Sequence, residues 1–294
     1  MRHAIPLRLR LFLLGDATCR RLQRVARRPI GWLRVWHAGL WLGLLDRPWL
    51  HRLDELVYDR DRRYLDPEYN RRGLWPWEEQ AIREHFADRR RLVVIAAGGG
   101  REVLALIRLG FAVEAFECHP SLRNLANSIL AEEGVGARVE ACERDLCPAG
   151  AGRADGAIVG WGAYTLIAGR ARRVALLAEL RAWLPAGAPI LLSFFVQRPG
   201  SEAAFRRVAA IAGRIRRLRG AEPPELGDAL DPNFQHYFDR ESVAAELAAA
   251  GFQMVHFATE GYAHAVGLAT ARRRDWSVEG LSRACPARLE DRRR

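Results

Sequence analysis

The sequence contains no lysine. All 46 of its basic residues are arginine, against 35 acids, for a formal charge of +11. Abundant arginine, alanine, glycine and leucine are what GC-rich coding produces, and the arginines are dispersed. Aromatic residues do not interleave with them as in an RNA-binding module, so nucleic acid is the less favoured partner. Uninterrupted apolar runs of the roughly 20 residues needed to span a bilayer are also missing. Residues 7–14 are broken by Arg8 and Arg10, with no small-residue cleavage site after them, and residues 30–45 are broken by Arg34 and His37. Trp32, Trp36 and Trp41 near helical spacing beside basic residues leave a peripheral membrane contact open. Cysteine is scarce: Cys19, Cys118, Cys142, Cys147 and Cys285 form no Cys-x-x-Cys pair, and no histidine cluster stands beside them. That argues against a zinc site or a disulfide framework, leaves no metal site expected, and favours reduced thiols in a cytoplasmic protein.

What is present is enough hydrophobic residue, 49%, for one large domain with an appendage. Residues 1–57 read as mostly helical, punctuated by Pro29 and Pro48. Loop chemistry rich in aromatics follows over 58–77, with Tyr64, Tyr69, Asn70, Trp75 and Trp77 placed to lid a site. The divisions expected are a helical cap and aromatic loop over 1–80, a main domain over 81–272 and a basic tail over 273–294, whose closing arginines read as a solvated end. From Leu92 short apolar runs alternate with helical segments. Strands are expected at 92–97, 111–116, 137–142, 155–159 and 189–196, and helices at 101–109, 120–133 and 170–184. An arginine-rich helix over 201–219 and a connection over 220–233 come next. A helix capped by Asp239 precedes a final strand pair at 252–257 and 264–269. This alternation predicts an α/β fold, a doubly wound and mostly parallel sheet with helices on both faces.

The most informative unit is strand, glycine turn, helix, strand, acid. Gly98, Gly99 and Gly100 let a ligand approach backbone, and the helix behind them offers free N–H groups and a positive dipole end. Glu117 closes the next strand 17 residues after Gly100, where a carboxylate can accept hydrogen bonds from both hydroxyls of a ribose. A dinucleotide fingerprint would need a third glycine where Val103 stands.

Several segments in order resemble the class I S-adenosylmethionine-dependent methyltransferases. VVIAAGGGRE, residues 93–102, is similar to the family's first motif in its Gly-Arg-Glu version, with Ala96 where the first glycine is usual. Glu117 matches the ribose acid, and Asp145 in CERDL the acid after the third strand, near the adenine. Asp155 opens ADGAIVGWGAY as the family's acid opens its fourth strand. LPAGAPILL resembles the turn into the fifth strand, and AAGF the run before the last pair. The resemblance spans residues 80–270. It implies a seven-stranded sheet with its last strand antiparallel, S-adenosylmethionine as cofactor, and methyl transfer to an unknown, small-molecule acceptor. On it the cofactor residues are Ala96, Gly98, Gly99, Gly100, Glu102, Glu117, Cys118, Asp145, Leu146, Gly160 and Trp161. Tyr164 and His236 are the candidates for catalysis, Trp161 and Tyr164 for a substrate wall, and His119 for the edge of the adenine pocket. No Asn/Asp-Pro-Pro-aromatic tetrad follows the fourth strand, which argues against adenine-N6 or glutamine methylation. Val94 occupies the position where an acid commonly serves the methionine end, with Glu102 the nearest substitute. A catalytically inactive protein that kept the fold is the alternative, and a nicotinamide-dependent oxidoreductase the third reading.

Overall fold

The computed structural model describes residues 6–23, 27–148 and 153–271. Cys285, the closing arginines and the expected basic tail beyond Ala271 lie outside the described residues.

Three helices come first: α1 (Leu7–Gln23), α2 (Arg27–Leu44) and α3 (Arg47–Arg60). Pro48 sits in the first turn of α3, where its missing N–H costs nothing. The expected loop over 58–77 contains one short helix, α4 (Pro67–Arg71), whose N-cap Asp66 accepts from the Glu68 N–H. α5 (Pro76–His85) follows.

The main sheet then begins: β1 (Arg91–Ile95), α6 (Arg101–Arg108), β2 (Ala112–Glu117), α7 (Pro120–Glu132), β3 (Val139–Ala141) and β4 (Gly156–Val159). A 3-10 turn over Ala163–Leu166 leads to α8 (Arg170–Trp183) and β5 (Pro189–Ser193). β6 (Phe195–Val196), α9 (Glu202–Leu218), β7 (Asp228–Leu230) and β8 (Phe234–Phe238) form an insertion. α10 (Arg240–Ala249), β9 (Phe252–Ala258) and β10 (His264–Ala269) close the fold.

Seven strands lie in the order β3-β2-β1-β4-β5-β10-β9. The first five run parallel, and β10 is antiparallel to both β5 and β9. The central strands are apolar throughout because both faces are covered: Val93, Ala157 and Ile190 face one core, Val94, Ile158 and Leu191 the other. The order reverses between β1 and β4, and the carboxyl ends of β1, β2 and β4 open there onto a crevice. These strand ends approach closely. A Cβ on Gly160 would stand 2.0 Å from the Ala96 carbonyl oxygen, so only glycine fits.

The expected connection over 220–233 instead carries β7, and β6, β8 and β7 make a second, three-stranded sheet. Its strands are too short for a periodic signal. A third core unites the cap with this insertion: Leu9, Phe12, Leu42 and Leu53 pack with Val208 and Ala212 of α9 and with Phe234 of β8. Gly39 and Gly43 of α2 take the side chains of Ile211 and Ile215, which lets the two helices cross closely. Trp41 packs edge-on against Phe12, whereas Trp32 and Trp36 lie exposed, as do Leu7, Leu11 and Leu14 of α1. No helix among the described residues is long and apolar enough to cross a membrane. Cys19, Cys118, Cys142 and Cys147 are free thiols.

α8 and α10 are joined by a buried charge cluster. The Arg173 guanidinium donates to both Glu246 oxygens, the closest at 2.7 Å, to Glu225 at 2.7 Å and to the Ile167 carbonyl at 3.1 Å. Arg173 and Glu246 are each 1% exposed. Removing one partner strands the other charge in an apolar core, which costs about 3–5 kcal/mol, whereas replacing both can be near neutral. Arg173→Met should therefore lower the unfolding free energy by about 3–5 kcal/mol in urea denaturation, and Arg173→Met/Glu246→Leu should recover most of the loss. A single variant within about 0.5 kcal/mol of the parent would show the cluster to be energetically idle.

Candidate active site

The crevice at the reversal point is half open to solvent and is lined by the ends of β1, β2 and β4, the loop after β3 and residues of the cap.

One wall is the turn between β1 and α6. Ala96 adopts φ +57° and Gly98 φ +56°, both left-handed, so the position that holds alanine in place of the usual glycine carries backbone strain. Glu117, at the end of β2, is 4% exposed and faces the same space. Its Oε2 accepts from the Gly98 N–H at 2.7 Å and its Oε1 from the His119 N–H at 2.7 Å. Each oxygen keeps a further lone pair, and the backbone fixes the carboxylate before any ligand arrives.

The floor is built from charge. Arg101 and Glu102, the first residues of α6, are both buried. The Arg101 guanidinium donates to both oxygens of Glu78 at 2.6 Å, to the Gly73 carbonyl at 2.9 Å and to Glu102 Oε1 at 3.1 Å. Glu102 Oε1 also accepts from the Trp161 N–H at 3.1 Å. Burial, reinforced by the Glu78 carboxylate and opposed by Arg101, pushes the Glu102 carboxyl up to about 8. Two acids share one arginine, and the Glu102 carboxyl retains its proton near neutrality.

The cap supplies the roof. Asn70 of α4 fills the space above Gly99, where any side chain would collide with its amide, and donates to the carbonyls of Tyr64 and Asp66 at 3.0 and 2.8 Å. Tyr58, Tyr64 and Tyr69 line the cavity. Tyr64 lies 6.3 Å from Trp161, and Trp161 lies 6.2 Å from Trp75 and 5.2 Å from Tyr262, centroid to centroid. Burial pushes the phenols of Tyr64, Tyr69 and Tyr262 above their usual range. At the other end α3 grips the loop after β3: Arg144 donates to Asp54 at 2.6 Å, and His51 pairs with Asp145 at 2.9 Å.

Of the residues singled out in sequence, Ala96, Gly98, Gly99, Glu102, Glu117, Cys118, Asp145, Leu146 and Trp161 line this one cavity, and His119 joins them. Gly100 and Gly160 lie just behind the lining. Gly100 caps α6, and Gly160 donates its N–H to the Ile95 carbonyl at 2.7 Å. The carboxylate of Asp145 is already engaged by His51, at a backbone φ of +62°. Burial, with Glu117 nearby, pushes the Cys118 thiol far up, so it packs as a neutral group. Asp155 lies at the opposite end of the strands, accepting from the Arg90 and Arg91 N–H groups at 2.8 and 2.9 Å.

The two catalytic candidates do not reach the cavity. Tyr164 is fully buried, stacked on Phe238, with its hydroxyl donating to Glu246 at 2.5 Å. The 3-10 turn after Gly162 aims it into the core rather than the crevice. His236 is buried on β8, with Nδ1 2.7 Å from Asp228 and 3.8 Å from Glu225. Both belong to the Arg173 cluster and its neighbours, and neither lines the crevice. Sequence reasoning missed Tyr58, Arg101 and Glu78. The Gly-Arg-Glu run contained Arg101, but its partner Glu78 lies 23 residues earlier, with nothing in the spacing to link them.

No family model matches the chain, and no curated protein sequence matches it. Its fold is nevertheless similar to solved methyltransferases. A SAM-dependent methyltransferase from Methanosarcina mazei superposes with a TM-score of 0.53 at 17% identity, over 67% of this chain and 99% of that one. The 1,6-didemethyltoxoflavin-N1-methyltransferase of Burkholderia thailandensis, solved with 1,6-didemethyltoxoflavin and S-adenosylhomocysteine, gives 0.52 at 17%, over 76% and 88%. An O-methyltransferase family protein from the same organism gives 0.52 at 14%, over 88% and 72%. The chain has the class I S-adenosylmethionine-dependent methyltransferase fold.

The protonated Glu102 makes a prediction about stability. Its folded pKa lies above its unfolded value, so the unfolded chain releases the proton first and folding stability falls as pH rises from about 4.5 to 8. Gln in its place keeps the shape without the titration. Glu102→Gln should gain on the parent by about 2–4 kcal/mol between pH 5 and pH 8, measured as the difference in denaturation midpoints. A pH-independent gap would mean that Glu102 ionises normally.

Proposed function

We propose that this chain is an S-adenosylmethionine-dependent methyltransferase acting on a small-molecule acceptor. The observation that carries the reading is Glu117: a carboxylate held by two backbone N–H groups at the end of β2, facing the crevice beside a glycine turn. The residues present fit the cofactor. Two polar atoms of lining residues, His119 Nδ1 and Trp161 Nε1, are buried with no hydrogen-bond partner among the described residues, and a bound polar molecule would satisfy them.

Glu117 would hold the ribose hydroxyls, with His119, Cys118 and Leu146 bordering the adenine end. Glu102 would receive the cationic methionine end in place of the acid that Val94 replaces. Val94 itself is buried in the core with Leu92 and Ile158. When bound, S-adenosylmethionine supplies an electrophilic sulfonium methyl. The chain's part is alignment, worth up to about 7–11 kcal/mol of a displacement barrier. Tyr64 and Trp161 would form the acceptor's wall, with Trp75 and Tyr262 behind them. The phenols of Tyr64 and Tyr262, raised by burial, hold their protons at neutral pH, so they donate hydrogen bonds and take no proton. Such a wall suits a nucleophile that already has a free lone pair, an amine or an ionised oxygen. The action of a structurally similar enzyme on 1,6-didemethyltoxoflavin supports a small acceptor.

Calorimetry provides the test. S-adenosylhomocysteine should bind with one site per chain while NAD does not. Glu117→Ala should weaken it at least about 100-fold, since two charge-assisted hydrogen bonds contribute about 1.5–3 kcal/mol each. Binding of NAD alone would refute the reading. Cofactor binding with no turnover across a panel of amines and phenols would favour the inactive, fold-retaining alternative.

A further inference from the structure

Three histidines from separate segments meet outside the crevice, where α5 packs against the β9–β10 hairpin. His256 lies on β9 and His264 on β10, diagonally across the ladder, with their Nε2 atoms 3.2 Å apart. His264 Nδ1 lies 2.8 Å from the Tyr262 carbonyl, which can only accept, so the proton sits on Nδ1 and the Nε2 lone pair points at His256. His85, at the last turn of α5, brings its ring to 5.5 Å from that of His256. Its Nε2 is buried with no hydrogen-bond partner among the described residues. Glu84 stands beside it, Oε2 3.9 Å from His85 Nε2. One ligand atom each from Glu84, His85 and His256 lie within 4.8 Å of one another.

We propose that His85, His256 and His264, with Glu84 as the fourth ligand, bind a divalent transition metal, zinc being the best match. A tetrahedral ion with metal–nitrogen bonds of about 2.0–2.1 Å sets its ligand atoms about 3.3 Å apart. The His256–His264 pair already has that edge. The ligand atoms of Glu84 and His85 lie within 4.8 Å of that of His256, so these two α5 side chains must rotate inward onto the pair. Three imidazoles and a carboxylate select zinc over magnesium or calcium, which prefer all-oxygen sets. The other convergence of acids and histidine, Glu225, Asp228 and His236, already holds the Arg173 guanidinium and has no such opening. The bound ion would tie the cap's last helix to the sheet edge. Trp77 stacks on Tyr262 at 5.9 Å and lies tilted against His264 at 4.8 Å, and Tyr262 backs Trp161, so the tie reaches the cavity wall. The inference is independent of the methyl-transfer reading.

The test is titration of chelator-stripped full-length protein with zinc against a chromophoric chelator. One equivalent should bind, and His85→Ala and His256→Ala should each weaken it at least 100-fold. Each variant is to be checked for a native near-ultraviolet dichroism spectrum, with His85→Gln as the milder substitution. Zinc should raise the melting temperature of the parent and not of the variants. Cobalt in the same site should give visible d–d bands without near-ultraviolet thiolate charge transfer. No stoichiometric zinc, undiminished affinity in both histidine variants, or a thiolate band would each overturn the assignment.

Discussion

The buried ion pair between Arg101 and Glu78 is the constraint from which the site's geometry follows. One guanidinium at the start of α6 reaches α5 through Glu78, the preceding loop through the Gly73 carbonyl, and the end of β4 through Glu102 and the Trp161 N–H. Ion pairs of this kind are weak evidence for stability, because desolvation offsets the attraction. Their value lies in what they forbid. A cap displaced from α6 would leave Arg101 or Glu78 charged and alone in an apolar setting, so the cap has one docked position. That position sets Asn70 over Gly99 and the tyrosines over the cavity.

The cap is therefore a wall of the pocket as much as a neighbour of it. Asp54 and His51 of α3 hold Arg144 and Asp145, so the loop after β3 is shaped by residues about 90 positions away in sequence. Asn233 of the insertion donates to the same Asp54, which links cap, insertion and crevice through one carboxylate. The crevice is lined from both sides of residue 80, where the order of elements divides cap from main domain. The third core, shared between α1–α3 and α9, says the same in apolar terms.

The main sheet was legible because each element carried its own signal. Leu92 to Ile95 is apolar on both faces because helices cover both, and Gly110, Gly134 and Gly251 mark element ends that the structure reproduces. Glu117 was legible because its role depends on its place at a strand end after a glycine turn. What stayed hidden depends on contacts between distant segments. β6 to β8 are two to five residues long and owe their pairing to the sheet they join. Tyr164 looked like part of a substrate wall because it follows β4, but a turn of 3-10 helix decides which way its ring points, and spacing alone does not encode that. The histidines at 85, 256 and 264 form no spaced motif at all, since strand pairing and helix docking bring them together.

The two irregularities in the first motif have linked physical consequences. Ala96 sits in the left-handed region that glycine tolerates, at a cost of about 1–3 kcal/mol for such a residue. It is held there because flanking bonds leave it no alternative: Ala97 N–H donates to Phe116 and Gly160 N–H to Ile95. The turn is thus fixed before any ligand enters, and a ligand need not order it. Val94 removes a charge from the central strand, where both faces are apolar. Glu102 puts a carboxyl back at the cavity floor one turn later, on a helix end whose dipole favours an anion. There burial and Glu78 raise its pKa even with the Arg101 guanidinium 3.1 Å away. On the proposed reading, an acid on the helix in place of one on the strand lets the chain carry the carboxyl without a second uncompensated buried charge in the ligand-free state.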